Sequence, residues 1–319
     1  METYAPLLNN AGRPRSGWRL GIYLLVFAAC MFVFGSLVRV GYILAERQHI
    51  RIGKFFEDVV FRVILLGAAL LAGWICNRWL EALPWRALGL VFHSGWLKDL
   101  LVGSSIGFVS LAIAALVAFT GGGLRFSLSG REILLLILRS LVTSAALFIL
   151  AALAEEAAFR GYPLQTLTRA GLAWLGVLLT SVPFALGHLQ NPNVVAGFTF
   201  VNTALAGVWL AMAYLKTRSL WFPLGVHWAW NWALGSVFGL PVSGMKLSAY
   251  PLLQAIDHGP AWLTGGSYGI EGGLACTVAL IISTLFIWRT GLVTATPELA
   301  QLTSAENPVN PNRSPNRSV

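Results

Sequence analysis

Between Ile133 and Leu153 the chain runs through an apolar stretch broken by a single charge, Arg139, and then meets Glu155, Glu156 and Arg160. A helix of about 20 apolar residues, rising about 1.5 Å per residue, is long enough to cross the roughly 30 Å of a bilayer's hydrocarbon. Inside lipid every backbone amide and carbonyl must find its partner within the protein, which restricts such a segment to a helix or a closed barrel. Its length and absence of alternation select the helix. Carboxylates are expensive in that setting unless paired, so two together with an arginine mark the place where function is expected.

The rest of the chain repeats the pattern. Of its 319 residues 56% are hydrophobic and only 11% charged, and mean hydropathy is +0.70. Soluble domains carry about a quarter charged residues. The expected fold class is therefore all-α, a polytopic membrane helical bundle of about eight transmembrane helices. The apolar runs place them near 18–44, 59–76, 100–119, 133–167, 172–189, 194–215, 220–238 and 274–288. Residues 1–17 read as a polar tail, 18–293 as the transmembrane domain with its catalytic core at about 130–238, and 294–319 as a disordered C-terminal tail. The fourth run is too long for one straight crossing, and Arg139 and Pro163 are the expected places for a break. Residues 78–98 are expected to lie along the membrane surface, and 239–273 to form a polar, glycine-rich connection. The first run is too long for a cleavable signal and reads as a retained helix.

The net charge of +9 does not indicate nucleic acid, because no basic run with interleaved aromatics is present. Lys and Arg are the ordinary furniture of cytoplasmic loops facing anionic lipid. Their larger share falls on one side if both termini are cytoplasmic, the expected orientation in a bacterial-looking inner membrane. Cys30, Cys76 and Cys276 are far apart in apolar runs and form neither a disulfide framework nor a thiolate metal site.

Three other polar residues within the spans matter, His188, His227 and Asn231. The fourth and fifth runs form a hairpin turning near Ala170, with Glu155 about 15 residues before the turn and His188 about 18 after it. These depths are roughly 23 and 27 Å. His227 and Asn231, in the seventh run, are roughly 14 and 20 Å from the turn that precedes them and share a helix face. All can point into one cavity. Glu156 and Arg160, also four apart with the acid first, suit an ion pair, which leaves Glu155 on another face. Glu155 then suits general-base duty on a water. His188 suits orienting that water or binding a metal, and His227 with Asn231 suits a developing oxyanion.

The segments Glu155–Arg160 (Glu-Glu-x-x-x-Arg), Phe184–His188 (Phe-x-x-x-His) and His227–Asn231 (His-x-x-x-Asn) resemble the CAAX-protease and bacteriocin-processing family of intramembrane endopeptidases. The flanks Ala-Leu-Gly-Leu at 87–90 and Ser-Leu-Trp-Phe-Pro-Leu before His227 are similar too. The resemblance covers about residues 80–235. It implies a helical bundle with a cavity open to the cytosol, and peptide-bond hydrolysis by an activated water. Carried over, Glu155 is the base, His188 its partner on the water, His227 and Asn231 the oxyanion site, and Glu156 and Arg160 the support. Members of the family are described both as metalloproteases and as metal-independent glutamate proteases. Glu155, His188 and His227 could offer a divalent metal such as zinc three ligands and an open position; no His-Glu-x-x-His is present. The expected partners are membrane lipid and a peptide or protein substrate.

Two other classes compete. A catalytically silent membrane scaffold of the same fold would keep the motifs without turnover. A proton-coupled transporter also uses buried carboxylates and histidines, though no inverted repeat is apparent. Taken singly, the bland readings are stronger: Phe184 as packing, Asp257, His258 and Glu271 as solvated loop residues, His49 and His93 without a role.

Overall fold

The computed structural model describes residues 7–9, 12–195 and 197–304. Each of the eight apolar runs forms a helix. They are α1 (Ser16–Arg47), α2 (Lys54–Cys76), α3 (Trp96–Thr120), α4 (Leu134–Glu156) continued by α5 (Tyr162–Arg169), α6 (Ala173–His188), α7 (Phe198–Thr217), α8 (Trp221–Trp232) and, after a short α9 (Ala261–Thr264), α10 (Leu274–Arg289). Among the described residues, five helical stretches are long and apolar enough to cross a membrane: 16–47, 54–81, 96–120, 134–169 and 198–217. The α6 and α10 helices are apolar but shorter. The chain is a multi-pass membrane protein with an all-α helical bundle.

The bundle is centred on α8. Its neighbour α3 runs alongside, and the two backbones touch because small residues interleave. A methyl group at Gly103 or Gly107 would overlap the carbonyls of Phe222 or Val226, and one at Gly225 would overlap that of Leu100. Close backbone approach through glycine is the usual way helices associate in lipid, where no hydrophobic force separates helix from solvent. The opposite side of α8 meets α4, where Trp228 and Trp232 donate their indole N–H groups to the carbonyls of Ala145 and Leu141. α7 packs on α6, α8 and α10. Large exposed apolar side chains line α1, including Leu25, Phe32 and Leu37, which suits a face turned to lipid.

Of the two expected places for a break in the long fourth run, the one beside Pro163 is where it occurs. Arg139 lies within regular helix, and the irregularity is a π turn at Ala157–Gly161. Pro163, at the start of α5, supplies the cause: it has no N–H to give the preceding turn, and its ring crowds the carbonyl four residues back. The wide turn therefore falls immediately after Glu155 and Glu156, as π turns often do at functional sites.

Three connections differ from expectation. Residues 239–273 are a folded cover rather than a solvated loop: β2 (Leu253–Asp257) pairs antiparallel with β1 (Leu124–Leu128), Leu124 opposite Asp257. Residues 82–95 are tucked against the bundle. Leu220 N–H donates to Gly89 O, and the indole of Trp221 to Val91 O. His93, given no role above, is 6% exposed and its Nε2 lies 3.1 Å from Ser219 Oγ, which also accepts from the Trp221 amide. This connection thus anchors the start of α8. Finally, part of the segment assigned to the C-terminal tail is ordered: Pro297–Leu302 forms α11, with Leu299 buried and Glu298 paired to Arg86. Residues 305–319 lie outside the described residues.

Candidate active site

The π turn and α8 bring the acids to the imidazoles. Glu156 is fully buried, and its Oε1 accepts from Arg160 at 3.1 Å, the expected ion pair. The same oxygen lies 2.8 Å from His227 Nδ1. Glu156 is therefore more than the partner of Arg160: it also fixes the ring of His227. Glu155 approaches the other edge of that ring, its Oε2 3.7 Å from His227 Nε2. Two adjacent carboxylates grip one imidazole from opposite sides. This is possible because consecutive helical residues point about 100° apart and α8 passes between them.

Arg160 is held in turn. It donates to Gly207 O at 3.1 Å and its guanidinium stacks 4.6 Å from the ring of Phe184. Phe184 is consequently more than packing. Its ring lies 4.6 Å from that of His188 and 6.3 Å from that of His227, and its carbonyl is 2.7 Å from His188 Nδ1. A carbonyl cannot donate, so His188 carries its proton on Nδ1 and its Nε2 is free to accept. The same logic applies to a neutral His227, whose Nδ1–H donates to the Glu156 carboxylate. Both rings then offer Nε2 lone pairs, and His227 becomes a donor at Nε2 only after gaining a second proton.

Glu155, His188, His227 and Asn231 all line one cavity of about 410 Å³. Glu156 and Arg160 stand behind it. Glu155 Oε2 is buried and makes no hydrogen bond to protein among the described residues. A water can hydrogen-bond both Glu155 Oε2 and His227 Nε2 across 3.7 Å. Asn231, one turn beyond His227 on α8, lines the same cavity.

Two residues in this cavity escaped the sequence reading. Glu271, assigned to a solvated loop, accepts from the Trp230 indole at 3.0 Å and from the Ser243 amide at 2.6 Å, and lines the cavity. Its own carbonyl accepts from Asn202 at 2.8 Å. No periodicity marks a residue carried by a long irregular connection. Arg62 of α2 also lines the cavity; it stands as the one strong charge in the second apolar run, a signal that was available.

The donor chemistry of Glu155, His188 and His227 suits a divalent ion, since both rings give Nδ1–H to an oxygen acceptor as metal-bound histidines do. Their spacing does not. Among the described residues no three His, Cys, Asp or Glu side chains are grouped as a metal site.

The site-bearing segment of this multi-pass helical bundle is similar to the CAAX-protease and bacteriocin-processing family. Residues 137–233 match the family described as type II CAAX prenyl endopeptidase Rce1-like, and this stretch contains all three motifs. An Escherichia coli protein described as an uncharacterized 24.3 kDa protein is 33% identical over 101 residues, which cover 31% of this chain and 45% of that protein. The chain thus matches less than half the length of that relative.

Proposed function

We propose that this protein is an intramembrane endopeptidase of the glutamate-dependent kind, hydrolysing a peptide bond with a water held by Glu155, His188 and His227. The observation that carries this reading is the His227 ring, fixed at Nδ1 by Glu156 and presenting Nε2 beside the unpartnered oxygen of Glu155 at the cavity wall.

The water donates one hydrogen to Glu155 and its other to an imidazole Nε2. As its oxygen bonds to the scissile carbonyl carbon, its proton passes to Glu155 and the carbonyl π pair becomes an oxyanion. Asn231 Nδ2–H donates to that oxyanion. Collapse of the tetrahedral intermediate breaks the C–N bond, and Glu155 returns the proton to the leaving amine. Donors aimed at an oxyanion in a dry site typically contribute about 10²–10³ in rate, and a placed general base about 10²–10⁴. The division of labour is set by location. Glu155 faces the cavity, while Glu156 and Arg160 hold the ring that faces it.

The test is cleavage of a peptide library by the full chain in detergent or lipid nanodiscs. Loss of cleavage in Glu155→Gln and His188→Ala, with unfolding unchanged, is the expected result. Wild-type protein that cleaves no member of the library, in lipid as in detergent, would overturn the proposal.

A further inference from the structure

Arg62 makes neither an ion pair nor a hydrogen bond among the described residues. It stands eight residues into α2, roughly 12 Å along the helix. Arg19 and Arg160, also inside apolar helices, are buried and paired to Glu81 and Glu156, while Arg39 and Arg139 are exposed and can extend toward the interface. Arg62 is half-buried instead, and its Nε is buried with no partner. It lines the same cavity as Glu155, His188, His227 and Asn231. Among the residues lining that cavity it is the one Lys or Arg.

An arginine in a span is costly and is retained where it pairs with something. The cavity's two carboxylates do not pair with it. Glu271 spends both oxygens on Trp230 and Ser243, and Glu155 Oε2 faces His227 Nε2 at 3.7 Å without a hydrogen bond. Charge balance therefore has to arrive with the occupant. An incoming anion would be repelled by Glu155 and Glu271, so a cation on the same wall is what allows a negatively charged peptide to enter. Guanidinium also favours one chemistry, the planar two-oxygen carboxylate, through paired N–H···O bonds.

We infer that Arg62 is a specificity-determining residue: it binds a carboxylate on the peptide substrate, either the free C-terminus or an acidic side chain close to the scissile bond. The inference rests on the peptidase reading of the cavity, but its binding arm does not require turnover.

The probes are matched peptides, each as free acid and C-terminal amide, and each with Glu or Gln at positions flanking the cleavage point. Binding is measured by fluorescence anisotropy on full-length Glu155→Gln protein, and cleavage on wild type. The carboxylate member of a pair should bind about tenfold or more tightly. Adding Arg62→Gln should abolish that preference, and Arg62→Lys should keep only part of it, because the charge remains and the fork is lost. The free-acid and Glu/Gln pairs tell the two carboxylate sources apart. Equal affinity for charged and neutral members, including no binding by either, overturns the inference; so does a preference that survives Arg62→Gln. An Arg62-dependent preference in a wild-type protein that cleaves nothing would remove the peptidase reading and leave the carboxylate site standing.

Discussion

Replacing Glu156 by alanine strips two groups of their partner at once. Arg160 is fully buried, and without Glu156 it keeps only the Gly207 carbonyl and the faces of Phe184 and Phe159. Removing one member of a buried ion pair typically costs about 3–5 kcal/mol, most of it the penalty of the charge left behind. Glu156→Ala should therefore lose about that much stability in detergent unfolding. Removing both charges, in Glu156→Ala/Arg160→Met, should recover most of it, with a coupling of about 2–3 kcal/mol between the sites. Activity should behave differently. His227 Nδ1 loses its acceptor at 2.8 Å in the single and the double variant alike, and a ring without a fixed tautomer should cost about a hundredfold or more in rate. A double variant that regains stability but not cleavage fits this account. An alanine variant within about 1 kcal/mol of wild type, or a double variant that regains activity, would refute it.

Other outcomes follow from the same geometry. Glu155→Gln should lower cleavage by about 10²–10⁴ yet leave unfolding almost unchanged, because its side chain is 24% exposed and its near oxygen makes no hydrogen bond to protein. Gly107→Ala should weaken both stability and activity, since the new methyl would press the Val226 carbonyl and shift His227 next to it; unfolding and cleavage measured together check this. Treatment with a chelator, with or without zinc afterwards, should leave cleavage unaltered, as only two of the three donors approach one another; activity lost to chelation and restored by zinc would refute the metal-free route.

His93 gives a pH dependence. Burial lowers its pKa, against the weaker opposing pull of Glu298. The folded protein thus prefers the neutral ring, whose Nδ1 accepts from the Gly95 amide at 3.2 Å. A group with a depressed folded pKa contributes stability that is full above its unfolded value, about 6.5, and lost as pH falls through the folded value. Going from pH 7.5 to pH 5 should therefore cost wild type more stability than it costs His93→Gln, with unfolding of the two compared at both pH values.

Spacing within a single helix made the first half of the site legible. Glu156 with Arg160, and His227 with Asn231, are four apart, and a helix sets such neighbours whatever surrounds it. Depth counted from the hairpin turns was enough to bring Glu155 and His188 to one cavity, because the rise per residue is constant. What the spacing does not contain is rotation of one helix against another. The bond from Glu156 to His227 exists because glycines on α3 and α8 let those backbones touch, and because a π turn after Glu156 re-aims the helix that carries it. Glu271 reaches the cavity on a connection whose fold depends on a strand pair with residues far away. Composition and helical period by themselves determined a membrane bundle with a buried acid, an arginine and two histidines, since lipid leaves the backbone no alternative. Only the packing of α4 against α8 decided that both acids share one imidazole, since that depends on the rotation of two helices about their own axes.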